Sequence, residues 1–371
     1  MRYFSMFSGI GGFELGIQQN FTKSKDCPYG EGGASLLPRR PFCVGFSEID
    51  KYAIQVYTKH FPTHKGYGDA SKINTTELPD FDFLCGGFPC QAFSIAGKRG
   101  GFNDTRGTLF FEIARILKEK KPRMFLLENV KGLLSHDNGR TFKTIIATLV
   151  ELGYGVEWQV LNSKNFGVPQ NRERVFIVGH LGDASGREIF PINQAYGENT
   201  KLQGHIANCL TARYEGAQAT GTYIGESKFN AQIKETQKLS DSQRIRMIDQ
   251  PSVTLKGLGG GQGAKTGLYA IPVLTPDRPE KRQNGRRMKE DRDPSFTLTA
   301  QDKHGVFDGY RIRRLTPTEC CRLQGFPDNW VDVLSDSQKY KCLGNAVTTN
   351  VIAALFEKIL KRYYNPPAGE I

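Results

Sequence analysis

No stretch of the 371-residue chain approaches the roughly 18 continuous apolar residues that a membrane helix needs. Residues Met1 to Phe7 enter an apolar run at once, without the leader pattern of a secretory signal. A cytoplasmic location with no membrane partner is therefore expected. The eight cysteines, at positions 27, 43, 85, 90, 209, 320, 321 and 342, include no CxxC pair. No Cys/His cluster recurs as a zinc site would, so no metal is expected, and in a cytosolic chain neither are disulfides. Acidic residues are the scarcer charge: 38 Asp and Glu against 50 Lys and Arg leave a net of +12. That excess suits a polyanionic partner and equally an ordinary basic enzyme. A hydrophobic fraction of 38% argues against wholesale disorder.

The first half alternates strand and helix signals. Strands are expected near Tyr3–Phe7, Phe42–Phe46, Asp82–Cys85, Met124–Leu127, Val156–Leu161 and Arg174–Val178. Helices are expected from about Gly12 to Gln19, over Leu109–Leu117 and over Phe142–Leu149, with Gly153 as a C-terminal cap. This alternation implies an α/β fold with a doubly wound, mostly parallel Rossmann-like sheet.

Residues 201–314 hold no long amphipathic helix and carry 20 Lys and Arg against 12 Asp and Glu. A weak repeat places Leu210, Leu255 and Leu298 at 45- and 43-residue intervals, read as three strand-plus-loop units or as a chance match of Thr/Leu-rich sequence. This segment is expected to form a second, smaller, irregular β-rich domain. Thr316-Pro317-Thr318-Glu319 starts a helix. Val347, Val351, Leu355, Ile359 and Tyr363 give a final apolar stripe that should pack back onto the first domain. The domains are placed at 1–185, 186–315 and 316–371, the last returning to the first.

Four short segments carry residues suited to chemistry. Phe7-Ser8-Gly9-Ile10-Gly11-Gly12 is a glycine-rich turn between a strand and a helix, without GxGxxG spacing and without a Walker lysine. Glu48, past the second strand, is placed to accept hydrogen bonds from ribose hydroxyls, and Asp69 is a third contact. Together they suit an adenosine-containing cofactor that lacks a pyrophosphate; alone, the loop also fits a plain tight turn. Cys90, in Gly86-Gly87-Phe88-Pro89-Cys90-Gln91, sits on a loop at a strand's carboxyl end, whereas Cys85 inside the strand reads as packing. Glu128 ends the next strand, where apolar burial would let it share a proton, or where it caps a helix or joins an ion pair. In Gln170-Asn171-Arg172-Glu173-Arg174, strand alternation would put both guanidinium groups on one face.

In this order the segments resemble the cytosine-5 DNA methyltransferase family of bacterial or phage modification type, over nearly the whole chain. The glycine turn resembles the family's cofactor loop, Pro89-Cys90-Gln91 its nucleophile motif and Glu128-Asn129-Val130 its base-binding motif. Gln170 to Arg174 is similar to its QxRxR element. Arg314 to Pro327 resembles the segment closing the recognition domain, and Gly344 to Val347 the last motif. Ser5 stands where many members carry Asp.

The resemblance implies methyl transfer from S-adenosylmethionine to C5 of a flipped-out cytosine in double-stranded DNA, through a Cys90–C6 adduct. It implies Phe7, Gly9, Gly11, Gly12, Glu48, Asp69 and Asn345 around the cofactor, with Leu109 either capping the adenine or serving as helix core. Glu128 would bind the base, and Arg172 or Arg174 its O2 oxygen or the thiol. Pro89, Gln91 and Gln170 line the substrate site, with Lys98 and Arg99 on a loop that closes over it. A monomer is expected, with a cognate restriction endonuclease as a partner in the same system. A folate-dependent nucleotide methylase, the tRNA-directed branch and an inactive DNA-binding regulator are the rivals. The glycine turn with Glu48 counts against the first, the missing Cys-Phe-Thr signature against the second, and the intact motif residues against the third.

Overall fold

The computed structural model describes residues 1–22, 40–89, 109–182, 189–192, 271–274, 276, 288–289, 293–307 and 312–364. They fall in two compact units. The first comprises residues 1–162, 173–194 and 346–371, and the second 163–172 and 195–345.

The first unit is built on a six-stranded sheet. Its strands are β1 (Arg2–Met6), β2 (Phe42–Ser47), β3 (Phe83–Gly87), β4 (Met124–Val130), β5 (Tyr154–Asn162) and β6 (Glu173–Leu181), in the order β2-β1-β3-β4-β6-β5. β1 pairs in parallel with β2 and β3, and β3 in parallel with β4. β6 runs antiparallel to both its neighbours, so it alone is reversed within this sheet. β1, β3 and β6 are buried on both faces, which is why they read as continuous apolar runs rather than as alternation.

The helices α1 (Gly12–Thr22), α2 (Lys51–His60), α3 (Leu109–Lys120), α4 (Arg140–Glu151) and α7 (Thr349–Tyr364) cover the sheet. On one face Ile113, Leu117, Ile145 and Leu149 pack with Phe4, Met6, Leu84, Leu127 and Ile177. On the other, Phe356 of α7 meets Phe83 at 5.6 Å between ring centroids. Asp50 caps α2 by accepting from the Tyr52 and Ala53 amides. Gly153 follows α4 at φ +88°, the left-handed conformation expected past a helix end. Val351, Leu355 and Ile359 of the final stripe are buried, and α7 packs on α1 within this unit.

The second unit holds a three-stranded antiparallel sheet of β7 (Ile271–Leu274), β8 (His304–Phe307) and β9 (Ile312–Arg314). It also contains α5 (Pro317–Leu323) and α6 (Asp336–Asn345). Thr316 caps α5 in a reciprocal pair with Glu319, as the Thr-Pro-x-Glu pattern indicates. Arg313 binds both Glu319 oxygens, at 2.9 and 2.7 Å. The third expected strand unit is not a strand: residues 294–300 are irregular apart from one bridge, Gln170 to Ser295. The other two lie outside the described residues. Among the described residues no helix is long and apolar enough to cross a membrane.

Gly16 lies where α1 packs tightly against α7. A Cβ there would lie 2.6 Å from Ile352 Cβ and 2.8 Å from the Thr349 carbonyl oxygen. We predict that Gly16→Ala lowers the unfolding free energy by about 1–3 kcal/mol, the range for overpacking a close interface. Urea denaturation checks this, and an unchanged midpoint would refute the packing described.

Candidate active site

Register decides what meets at the carboxyl end of the parallel strands. Met6 pairs with Ser47 on one side and Gly86 on the other, and Gly87 pairs with Glu128. The chain therefore leaves β1 at Phe7, β2 at Glu48 and β3 at Phe88 side by side, with Glu128 within β4 next to them. β1 lies between β2 and β3, so successive connections depart in opposite directions from it. That reversal is the point in an open α/β sheet where a crevice opens.

The turn after β1 is held in an unusual conformation. Phe7, Gly9 and Gly11 have φ of +52°, +55° and +87°. Phe7, not being glycine, occupies this region at a cost that functional turns commonly carry. Gly11 is further constrained, because a Cβ there would sit 2.5 Å from the Phe61 ring. A Cβ at Gly9 would meet nothing within 4 Å, so this side of the turn is open.

Glu48 organises the crossing from turn to α2. One carboxylate oxygen accepts the Gly9 amide at 2.8 Å. The other accepts the Ile49 and Asp50 amides at 2.8 and 2.9 Å. A carboxylate has about four acceptor positions, so one remains for a ligand hydroxyl. Ile49, beside it, is 71% exposed and offers an apolar surface at the same strand end.

Ser47 donates its hydroxyl to the Gly68 carbonyl at 2.7 Å and so brings Asp69 alongside. The Asp69 carboxylate accepts from the side chain and amide of Ser71, which hold it below the usual aspartate range. Residue types that accept hydroxyl protons, an open glycine turn and an exposed apolar side chain thus fit an adenosine-containing cofactor.

At β4, the Glu128 carboxylate lies over Gly87, where a Cβ would be 3.0 Å from Oε2. Arg174 Nε is 3.0 Å from Glu128 Oε1, with both side chains mostly buried. Of the alternatives for Glu128, the ion pair is the one formed. The next residue, Asn129, is buried and donates to the Phe88 carbonyl at 2.9 Å. It thereby fixes the chain two residues before position 90. Pro89 is exposed. Phe88 packs on Phe110, so Leu109 begins α3 close to this segment and is half-buried. Cys90, Gln91, Lys98 and Arg99 lie outside the described residues. Cys85 is fully buried and its thiol is pushed well above its ordinary pKa by burial, as befits a packing cysteine.

The two arginines of the QxRxR segment do different things. β6 begins at Glu173, so alternation along a strand applies to Arg174 and not to Arg172. Arg172, in the second unit, is 2% exposed and donates to the Leu298 and Gly344 carbonyls at 2.7 and 3.3 Å. Gln170, fully buried, donates to the Leu323 carbonyl and accepts the Leu298 amide, both at 2.8 Å. Asn345 is the last residue of α6, also in the second unit.

Ile49 and the fully buried Glu14 are not singled out by the sequence, and Asn129 only as a member of the Glu128-Asn129-Val130 motif, with no role of its own. Asn129 carried a signal, as a polar residue directly after the strand's carboxylate. Ile49 and Glu14 carried none beyond their neighbours' motifs.

The residues from 1 to 361 match the family model described as C-5 cytosine-specific DNA methylase. The chain is 35% identical to orphan methyltransferase M.SPRI of Bacillus phage SPR, over 98% of each chain. It is 33% identical to type II methyltransferase M.BanI of Aneurinibacillus aneurinilyticus, over 100% of this chain and 98% of the other. Among solved structures, a mutant of DNMT2 from Spodoptera frugiperda aligns with a TM-score of 0.57 at 17% identity, over 97% of this chain and 99% of that one.

The pairing of Arg172 predicts that Arg172→Ala, which strands two buried carbonyls, costs about 2–5 kcal/mol of stability. Chemical denaturation measures it. A loss of activity with no loss of stability would instead mark Arg172 as acting on the substrate alone.

Proposed function

The chain belongs to the C-5 cytosine-specific DNA methylase family, as a DNA cytosine-5-methyltransferase that uses S-adenosylmethionine, and from that premise we propose that it acts through a covalent bond between Cys90 and C6 of a cytosine flipped out of duplex DNA. The observation that carries this reading is the register that ends the glycine turn, Glu48, the segment entering position 90, and Glu128 next to one another.

Cytosine C5 is too weak a nucleophile to take a methyl group unaided, and S-adenosylmethionine supplies that methyl on a sulfonium. In our reading the Cys90 thiolate adds to C6 and its bonding electrons enrich C5. Glu128 takes up a proton from solvent as the base enters, meets N3 and the exocyclic amine, and gives that proton to N3 as the ring becomes electron-rich. After C5 has been methylated, loss of its proton to a base and departure of the thiolate restore the 5,6 double bond. Arg174, paired with Glu128, supports the reading by orienting that carboxyl, and in our assignment it also meets the O2 oxygen.

Phe7, Gly9, Gly11 and Gly12 form the floor for the cofactor in this assignment, Glu48 takes the ribose, and Asp69 with Ile49 takes the adenine. Leu109 and Asn345 are assigned to the adenine and the methionine end on the resemblance. C6 is inaccessible inside a stacked duplex, so the base must leave the helix, with Pro89, Gln91, Gln170, Lys98 and Arg99 assigned to its pocket and closing loop. Residues 186–315 are assigned to reading the duplex, their positive charge supplying phosphate contacts. The enzyme acts as a monomer in this reading, and it marks a specific sequence against a cognate restriction endonuclease.

Cys90→Ser should cut methyl incorporation from labelled S-adenosylmethionine into duplex DNA by at least about 10³-fold while DNA binding persists. Duplex DNA carrying 5-fluorocytosine, which has no C5 proton to lose, should trap an adduct that peptide mapping places on Cys90. An adduct on Cys85, or none, would contradict the mechanism.

A further inference from the structure

Beneath the glycine turn lies a buried polar chain that the reaction as described does not use. Glu14, in the first turn of α1, is fully buried. Its Oε1 accepts the Tyr57 hydroxyl at 3.0 Å, and that hydroxyl is also 3.0 Å from His64 Nδ1. Glu14 Oε2 and the Ser5 hydroxyl make no hydrogen bond of good geometry. The chain is locked into an aromatic stack. Tyr57 lies 3.9 Å from Phe46 and 5.0 Å from Phe61 between centroids, and Phe61 stacks on His64 at 5.1 Å. Phe61 is the ring that presses on Gly11. The chain from Glu14 to His64 and the cofactor turn therefore share one wall.

A tyrosine hydroxyl has a single proton, which fixes the chain's direction. With Glu14 ionised, Tyr57 donates to Glu14 and accepts from Nδ1–H of His64. With Glu14 protonated, Glu14 donates to Tyr57, and Tyr57 donates to a bare Nδ1. One proton at Glu14 thus changes both the charge under the turn and the tautomer of His64.

The titratable groups around Glu14 are Tyr3 on β1, Cys43 on β2, Cys85 on β3 and Tyr57 on α2. None of these carries positive charge. Burial raises the Tyr57 hydroxyl far above its ordinary value, so it stays a neutral relay. Burial lowers His64 to about 4, so it is neutral as well. Burial also raises the Glu14 carboxyl to about 7, so its charge changes near neutral pH.

We propose that Glu14 is a positioning and specificity residue whose carboxylate, tied through Tyr57 to His64, favours the cationic sulfonium cofactor over its uncharged thioether product at the glycine turn. A fixed negative charge in a low-dielectric floor attracts the sulfonium and leaves the thioether indifferent. The two ligands share every other ionisable group, so the ratio of their affinities isolates this effect. The inference rests on the assignment of the cofactor to the turn.

The test is calorimetric titration of the full chain with S-adenosylmethionine and S-adenosylhomocysteine between pH 5.5 and 8.5. The preference for the sulfonium should rise on the order of tenfold through pH 7, with little change in thioether affinity. In Glu14→Gln the ratio should be flat. In Tyr57→Phe, which removes the hydrogen bond favouring the carboxylate, the midpoint should move to higher pH. A flat ratio in the unaltered chain, or an equal rise in Glu14→Gln, overturns the proposal. Glu48→Ala separates the underlying assignment: it should abolish binding of both ligands, and unchanged binding would overturn the site itself.

Thermal melting gives an independent check with a defined sign. Because the folded value lies above the unfolded one, protons are bound more tightly by the folded chain, and the Glu14 contribution is lost as pH rises from about 4.5 to 7. Glu14→Gln should therefore melt higher than the unaltered chain above pH 7, with the gap closing below pH 5. A gap independent of pH would contradict the buried ionisation.

Discussion

Parallel pairing of β1 with β2 and β3, and of β3 with β4, is the constraint on which the candidate site depends. Four strands in that pairing must end on one side of the sheet, and their register sets which residues become neighbours. Shifting β3 by one residue would exchange the faces of Gly86 and Gly87. Gly86 can have no side chain because the Met6 carbonyl oxygen lies 2.5 Å from where a Cβ would be, and a Cβ at Gly87 would press on the Glu128 carboxylate at 3.0 Å. The glycines thus serve as a register lock as well as an opening to the site. Asn129 adds a tie to Phe88 across the same strand pair. The approach to position 90 is held by backbone and buried side chains, not by the reactive residues themselves.

The charges around this frame are arranged by distance from water. Glu48 uses backbone amides as its partners, which leaves it able to meet a neutral hydroxyl. Glu128 uses a guanidinium at one of its oxygens, a partner that orients a carboxyl. Glu14 has only neutral hydrogen-bonding neighbours, and burial raises its proton affinity. Three carboxylates in one unit therefore have three distinct electrostatic settings, each set by the secondary structure that delivers its partner.

Much of this was legible in the residues. The strands of the parallel sheet are short apolar runs flanked by glycine or acidic residues, and the start of each is legible to within two residues. The reversed β6 was not legible, because an apolar strand carries no mark of its direction. Arg172 and Arg174 looked equivalent in sequence, yet the strand begins between them, and one becomes a buried tie while the other pairs with Glu128. The Glu14 chain was invisible because its members, at 14, 57 and 64, come from separate elements and are joined only by packing. Of the three repeat segments only the one around Leu298 lies among the described residues, and it is irregular there. The order of the short segments, more than any one of them, pointed to cytosine methylation, and the similarity along residues 1–361 agrees with it.

The most direct test of the central claim is a crystal structure of the chain bound to S-adenosylhomocysteine and a 5-fluorocytosine duplex. The account predicts ribose hydroxyls on the Glu48 carboxylate, the N3 edge of an extruded base on Glu128, and the Cys90 sulfur bonded to C6. A nucleoside seated away from the glycine turn, or a base edge that does not meet Glu128, would contradict it.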